Sequence, residues 1–154
     1  MQIGKFTFDW GKRTYIMGIL NVTPDSFSGD GLITNGDAIQ NATLQSKWML
    51  DSGADILDIG GESTRPGSQP VTVNEELERV IPVIHSIHKN FPDALISIDT
   101  YKAQVAEEAI KAGASIVNDV WALRADANLA NIVAKYNVPV ILMHNRSNPA
   151  SVEV

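Results

Sequence analysis

The 154 residues, 44% hydrophobic and 19% charged, have the composition of about one soluble globular domain. A formal net charge of −6 without any run of Lys or Arg argues against nucleic acid and an anionic membrane as partners. Cysteine is absent, which excludes disulfides and thiolate metal sites and fits the cytoplasm; no stretch has signal-peptide form or the length of a membrane helix.

The first predicted element is a hairpin, with arms Ile3 to Phe8 and Arg13 to Ile16 around the turn residues Asp9-Trp10-Gly11-Lys12. Its second arm runs on into Met17-Gly18-Ile19-Leu20, a buried strand that stops at Asn21. A loop rich in turn residues follows over 22–31, and Asp37 opens a helix with Ile39, Ala42, Met49 and Leu50, stopped by Gly53. Ile56 to Ile59 reads as a buried strand. It breaks at Gly60-Gly61 into a polar loop holding Glu62, Ser63, Thr64 and Arg65, closed by Pro66-Gly67. Glycines allow close backbone approach, and hydroxyl and guanidinium donors suit an anion, Arg suiting phosphate best through its planar fork.

Thr72-Val-Asn-Glu75 has capping-box spacing and opens a helix with Leu77, Val80, Ile81, Ile84 and Ile87 on one face. Pro82 inside that pattern predicts a kink or a tightened start. Ala94 to Ile98 is the next strand, ending at Asp99-Thr100, and Val105, Ala106, Ala109 and Ile110 mark a helix closed by Gly113. Ser115-Ile-Val117 runs into Asn118-Asp119; Leu129, Ile132, Val133 and Tyr136 space the last helix; Val138 to Met143 is the last strand and delivers His144-Asn145-Arg146. Residues 148–154 show no element.

Strand and helix alternate throughout, which predicts an α/β fold with a parallel sheet and right-handed crossovers. Five strand ends in a row are polar: Asn21, Gly60 to Arg65, Asp99, Asn118-Asp119 and His144 to Arg146. That matches a (β/α)8 TIM barrel, whose ligands bind at the C-terminal mouth of the strands, better than an open doubly wound sheet with one switch point. A barrel needs about 250 residues. Residues 1–154 are therefore expected to form its N-terminal portion: a hairpin, five parallel strands and four helices.

Four motifs, Asn21-Val-Thr-Pro-Asp-Ser-Phe-Ser28, Asp58-Ile-Gly-Gly-Glu-Ser-Thr-Arg-Pro-Gly67, Ser97-Ile-Asp-Thr100 and Gly113-Ala-Ser-Ile-Val-Asn-Asp119, resemble the dihydropteroate synthase family in that family's order. The resemblance covers nearly the whole chain up to about Arg146. It implies a single pterin-binding barrel domain and a transferase of folate biosynthesis, the target of sulfonamides. That enzyme joins 6-hydroxymethyl-7,8-dihydropterin diphosphate to para-aminobenzoate and releases diphosphate with Mg²⁺ assisting. It further implies that Asn21 sits beside the metal and the diphosphate, and that Thr64 and Arg65 meet the diphosphate. Asp99 and Asn118 would hydrogen-bond the pterin edge, with Met143 under the ring, and Phe27 and Pro66 would wall the aminobenzoate pocket. Where many members place Asp directly after Ser28, this chain has Ser28-Gly-Asp30, so Asp30 would take any metal role one position later.

The family's later motifs, a further Asp in Asp-Pro-Gly, a Lys in Ser-Arg-Lys and an Arg-x-His, do not occur here. Neither do the helices of its usual homodimer interface, and the isolated chain is expected to be inactive. Two other readings are a non-catalytic half barrel and the pterin-binding domain of a corrinoid-linked methyltransferase. Asp58 reads equally as part of a polar network at the mouth or as a site residue, and Asp119 as a helix cap in preference to a pterin neighbour. His144 fits a hydrogen-bonded residue of the mouth, His85 and His88 fit a helix surface, and Trp10, Trp48 and Trp121 fit packing.

Overall fold

The structure, a computed structural model, describes residues 1–23, 35–63 and 69–144. Strands β1 (Gln2–Ile3) and β2 (Phe6–Thr7) form a small antiparallel hairpin. The main sheet comprises β3 (Met17–Asn21), β4 (Ile56–Gly60), β5 (Leu95–Asp99), β6 (Ile116–Asp119) and β7 (Val140–Leu142), all parallel and paired in sequence order. Between them run α1 (Asn35–Asp51), α2 (Val73–Asn90), α3 (Ala103–Ala112) and α4 (Leu129–Tyr136).

The register decides which face each side chain takes. Leu20, Ile59, Ile98, Val117 and Val140 lie on one line across the sheet, and Gly18, Leu57 and Ile96 on the line below. The apolar side chains of these lines share one core with Val80, Val83, Ile84 and Ile87 of α2, Val105, Ala106 and Ala109 of α3, and Leu129 of α4. Neighbouring helices also pack on one another, α1 on α2, α2 on α3 and α3 on α4. The four helices among the described residues therefore cover a single face. A doubly wound sheet would carry helices on both; sequential strands with helices on one side are the winding of a (β/α) barrel.

The other face is layered. Met17, Ile56 and Leu95 form its lowest line, Ile19, Asp58, Ser97 and Ile116 the next, and Asn21, Gly60, Asp99, Asn118 and Ile141 the uppermost. The hairpin closes the bottom: Ile3 and Phe8 are buried with Ile56, Leu95 and Ile116, and Tyr15 and Met17 pack beside them. Phe8 stacks on Trp10 at 4.9 Å between ring centroids and meets Tyr15 at 4.6 Å. Arg13 grips Asp55 with two hydrogen bonds, of 2.6 and 3.1 Å, and Asp55 also accepts the N–H of Ile16.

Several expectations need correction. The hairpin turns at Gly4-Lys5, four to five residues before the expected Asp9-Trp10-Gly11-Lys12; Gly4 has φ +56, the left-handed conformation glycine adopts without penalty. Asp9 to Lys12 does turn, Lys12 N–H donating to the Asp9 carbonyl at 3.2 Å beside an isolated Trp10–Arg13 bridge, but residues 13–16 form no arm of the hairpin. Pro82 lies inside helix α2 without ending it, the buried stripe of Val80, Val83, Ile84 and Ile87 outweighing the lost N–H. Its start is the anticipated capping box: Glu75 N–H donates to the Thr72 hydroxyl at 3.3 Å, and Thr72 N–H to the Glu75 carboxylate at 2.9 Å. Of the three tryptophans, Trp121 is buried and Trp10, though 57% exposed, packs on Phe8 and Tyr15, but Trp48 on α1 is 67% exposed.

Candidate active site

The uppermost line of the helix-free face is where sequence and fold meet. Asn21, Asp99 and Asn118 come from three strands, yet pairing puts them in one row with Gly60 between Asn21 and Asp99. Each stands at or next to the C-terminal end of its strand, so its side chain lies at the mouth. Asn21 is exposed, and Asp99 and Asn118 are half-buried. Gly60 sits against Asp99: a Cβ there would lie in ordinary contact, 3.5 Å from the carboxylate oxygen Oδ2. Met143 follows β7, its N–H donating to the Asp119 carbonyl at 3.1 Å, and it is 43% exposed at the same end of the sheet. Phe27, Asp30, Thr64, Arg65 and Pro66 lie outside the described residues.

Asp99 sits among acids. Burial pushes its carboxyl up to about 7, and Asp58, Glu76, Asp119 and Glu62 push in the same direction. Near neutral pH it exists as both acid and carboxylate, so a ligand edge presenting N–H groups would draw it to the ionised, accepting form. Asn118 donates its amide Nδ2–H to Asp58 Oδ2 at 2.9 Å. Asp58 is 3% exposed, and burial raises its affinity for a proton while Ser97 and Asn118 pull it back. Asp119 is fully buried and builds the turn after β6, accepting from Trp121 N–H at 2.8 Å and Leu123 N–H at 2.6 Å. Ala122 and Leu123 hold positive φ there, of 52° and 63°. The two carboxylate oxygens of Asp119 thus serve a turn, not the start of a helix. His85, His88 and His144 are exposed, and among the described residues no group of three or more His, Asp or Glu could hold a metal ion.

A second polar centre was not foreseen. Lys102, just past β5, aims its ammonium at three acceptors: Glu62, the Glu76 carboxylate at 2.5 Å and the Val71 carbonyl at 2.7 Å. Tyr101 hydroxyl donates to the other oxygen of Glu62 at 3.0 Å. Three acceptors saturate an ammonium. Burial alone would lower the Lys102 pKa, but the hydrogen bonds to Glu62 and Glu76 more than offset it and hold the pKa above its ordinary value. One side chain thus ties residue 62 to residue 71, the two flanks of the glycine-rich loop. Gly61 packs so closely that a Cβ would come within 2.8 Å of Val80 Cγ1, and its carbonyl accepts from Arg79 at 2.8 Å. The only hint in the sequence was a Lys following a strand-terminal Asp99-Thr-Tyr.

Comparison with known proteins agrees with this geometry. The family model described as pterin-binding enzyme matches residues 17–154. A dihydropteroate synthase of Clostridium beijerinckii is 55% identical over 148 residues, covering 96% of this chain and 54% of that protein. Among solved structures, the dihydropteroate synthase of Clostridium difficile, determined in the presence of pteroic acid, superposes with TM-score 0.85 at 58% identity, covering 92% of this chain and 52% of that one. The Xanthomonas albilineans dihydropteroate synthase, solved with 4-aminobenzoic acid, gives TM-score 0.81 at 46% identity over 88% of this chain and 48% of its own. The chain spans about half the length of the relatives it matches. With strands in barrel order, polar side chains in register at the mouth and a family match from β3 onward, the chain belongs to the pterin-binding enzyme family.

Proposed function

We propose that the protein carrying this sequence is a dihydropteroate synthase. It joins 6-hydroxymethyl-7,8-dihydropterin diphosphate to para-aminobenzoate in the cytoplasm and releases diphosphate. The observation that carries the reading is the in-register row of Asn21, Gly60, Asp99 and Asn118 across three strand junctions.

A pterin presents an amide-like edge with ring N–H and exocyclic amine donors. Ionised Asp99 and the Asn118 amide supply acceptors at the right end of the sheet, and Met143 offers an apolar surface for the ring. Thr64 and Arg65 meet the diphosphate, Arg65 through its fork. Lys102 supports them by holding Glu62 and Val71. Phe27 and Pro66 wall the aminobenzoate side. Departure of diphosphate moves negative charge onto the leaving oxygen, which fixed donors stabilise most as the bond breaks.

Mg²⁺ fits only as an ion held largely by substrate oxygens and water, since Asn21 offers a single amide oxygen and no acidic cluster accompanies it among the described residues. When bound, it would neutralise diphosphate charge.

The test is to supply the full-length protein with both substrates and Mg²⁺ and follow dihydropteroate and diphosphate together. Equal amounts of the two products are expected, with kcat/KM reduced in Arg65→Lys, which keeps the charge but loses the fork. No condensation product from the folded full-length protein would refute the proposal.

A further inference from the structure

We infer that Asp58 is a positioning residue that orients the Asn118 amide, so that Asn118 presents its carbonyl oxygen, as an acceptor, to the ring edge bound at the mouth. This rests on the pterin reading above. Asp58 lies on β4 and Asn118 on β6, with β5 between them, so their 2.9 Å hydrogen bond spans two strand spacings across the helix-free face. Asp58 belongs to the layer below, in register with Ser97. A carboxylate can only accept. The amide must therefore turn its nitrogen down to Asp58, which directs its other branch, the oxygen, away from that layer.

The layer beneath holds a reserve of unpaired polarity. The Ser97 hydroxyl beside Asp58 favours its carboxylate, yet no hydrogen bond of good geometry reaches Asp58 Oδ1 or Ser97 Oγ, on residues 3% and 0% exposed. Uncompensated burial of this kind is costly and rare. Apolar residues fill the rest of the lowest layers, where Met17, Ile56, Leu95 and Ile116 sit. A carboxylate in that setting needs a reason. Holding the orientation of an amide that otherwise flips freely supplies one, because an Asn offers donor or acceptor at nearly equal cost. With Asp99 ionised beside it, the row then reads acceptor, acceptor, and selects a ring edge carrying two or more N–H donors.

The test compares the full-length wild-type protein with Asp58→Asn and with the exchange Asp58→Asn/Asn118→Asp. In the single variant two amides can pair either way round, so Asn118 is no longer committed. In the exchange the new amide at position 58 donates to the new carboxylate at position 118, whose second oxygen is again an acceptor, and net charge is unchanged. Calorimetric titration with 6-hydroxymethyl-7,8-dihydropterin diphosphate should show about a tenfold weaker Kd for the single variant and recovery to within about threefold for the exchange. KM for para-aminobenzoate at saturating pterin and the thermal midpoint should move little in either. Unchanged pterin affinity in Asp58→Asn, a loss the exchange does not restore, or a loss tracked by the thermal midpoint would each overturn the orienting role. A folded wild type that binds no pterin would overturn the pterin reading and this inference with it.

Discussion

At the scale of single residues, charge placement is the most informative feature. The Asp99 carboxyl, displaced to about 7 by burial and four neighbouring acids, keeps a proton in the folded protein that the unfolded chain releases near its ordinary 3.8. The native state binds more protons across that window, so stability falls as pH rises from about 4 to about 7 and levels off above, by up to about 1.4 kcal/mol per unit of displacement. Asp99→Asn should flatten this slope, seen as a smaller difference between urea midpoints at about pH 5 and about pH 8. An identical slope in the variant would show that other groups carry it. Lys102 is held in its charged form by its partners. Its partner Glu76 is 1% exposed, and removing the ammonium strands that carboxylate with Glu62 in a buried setting. Lys102→Met should destabilise by about 3 kcal/mol. Restoring much of that by adding Glu76→Leu in a double-mutant cycle would locate the loss in the pair, whereas additive losses would not. This cluster escaped sequence reading because Lys102 reaches partners 26 and 40 positions away, beyond any helix or strand period.

At the scale of elements, the parallel strands were legible because strands buried on both faces read as short apolar runs. Their polar ends were equally visible, so Asn21, Asp99 and Asn118 could be named before their register was known. Asp58 and Ser97 were harder, since an acid and a hydroxyl inside apolar runs do not announce which layer they occupy. The hairpin shows the other limit: Asp9-Trp10-Gly11-Lys12 has stronger turn chemistry than Gly4-Lys5, yet the apolar pair Ile3 and Phe8 is wanted beneath the sheet and sets the turn between them. That role is testable. Phe8 is 3% exposed against Ile56, Leu95 and Ile116, so Phe8→Ala should lower unfolding free energy by roughly 3 kcal/mol and leave ligand affinity at the opposite end of the strands unchanged. A loss within about 0.5 kcal/mol, typical of surface positions, would mean the hairpin is only laid on the sheet.

At the scale of the whole molecule, the exposed apolar residues are unevenly placed. Ile16, Ile19, Leu44 and Trp48 lie on β3, just before it or on the helix that follows it, all above half exposed, and Ile141, Leu142 and Met143 lie at the β7 edge at 40, 50 and 43%. Residue type alone did not tell that Trp48 would face outward. Among the described residues, the outer sides of β3 and β7 pair with no further strand, a template for further pairing. The 154-residue chain by itself should accordingly associate at micromolar concentration by light scattering, and condense its two substrates orders of magnitude more slowly than a full-length relative. A stable, active monomer would contradict both expectations.

The row at the strand ends is proposed as a pterin site with Asp99 as its anchor. Isothermal titration calorimetry of 6-hydroxymethyl-7,8-dihydropterin diphosphate into the full-length protein, wild type against Asp99→Asn, addresses it most directly. Charge-assisted hydrogen bonds contribute on the order of 1.5–3 kcal/mol, so the variant should bind at least about tenfold more weakly. Proton release should accompany binding to the wild type near pH 7 and be lost in the variant, because the ring edge draws Asp99 into its ionised form. Equal affinity and equal proton release in the two proteins would contradict the assignment.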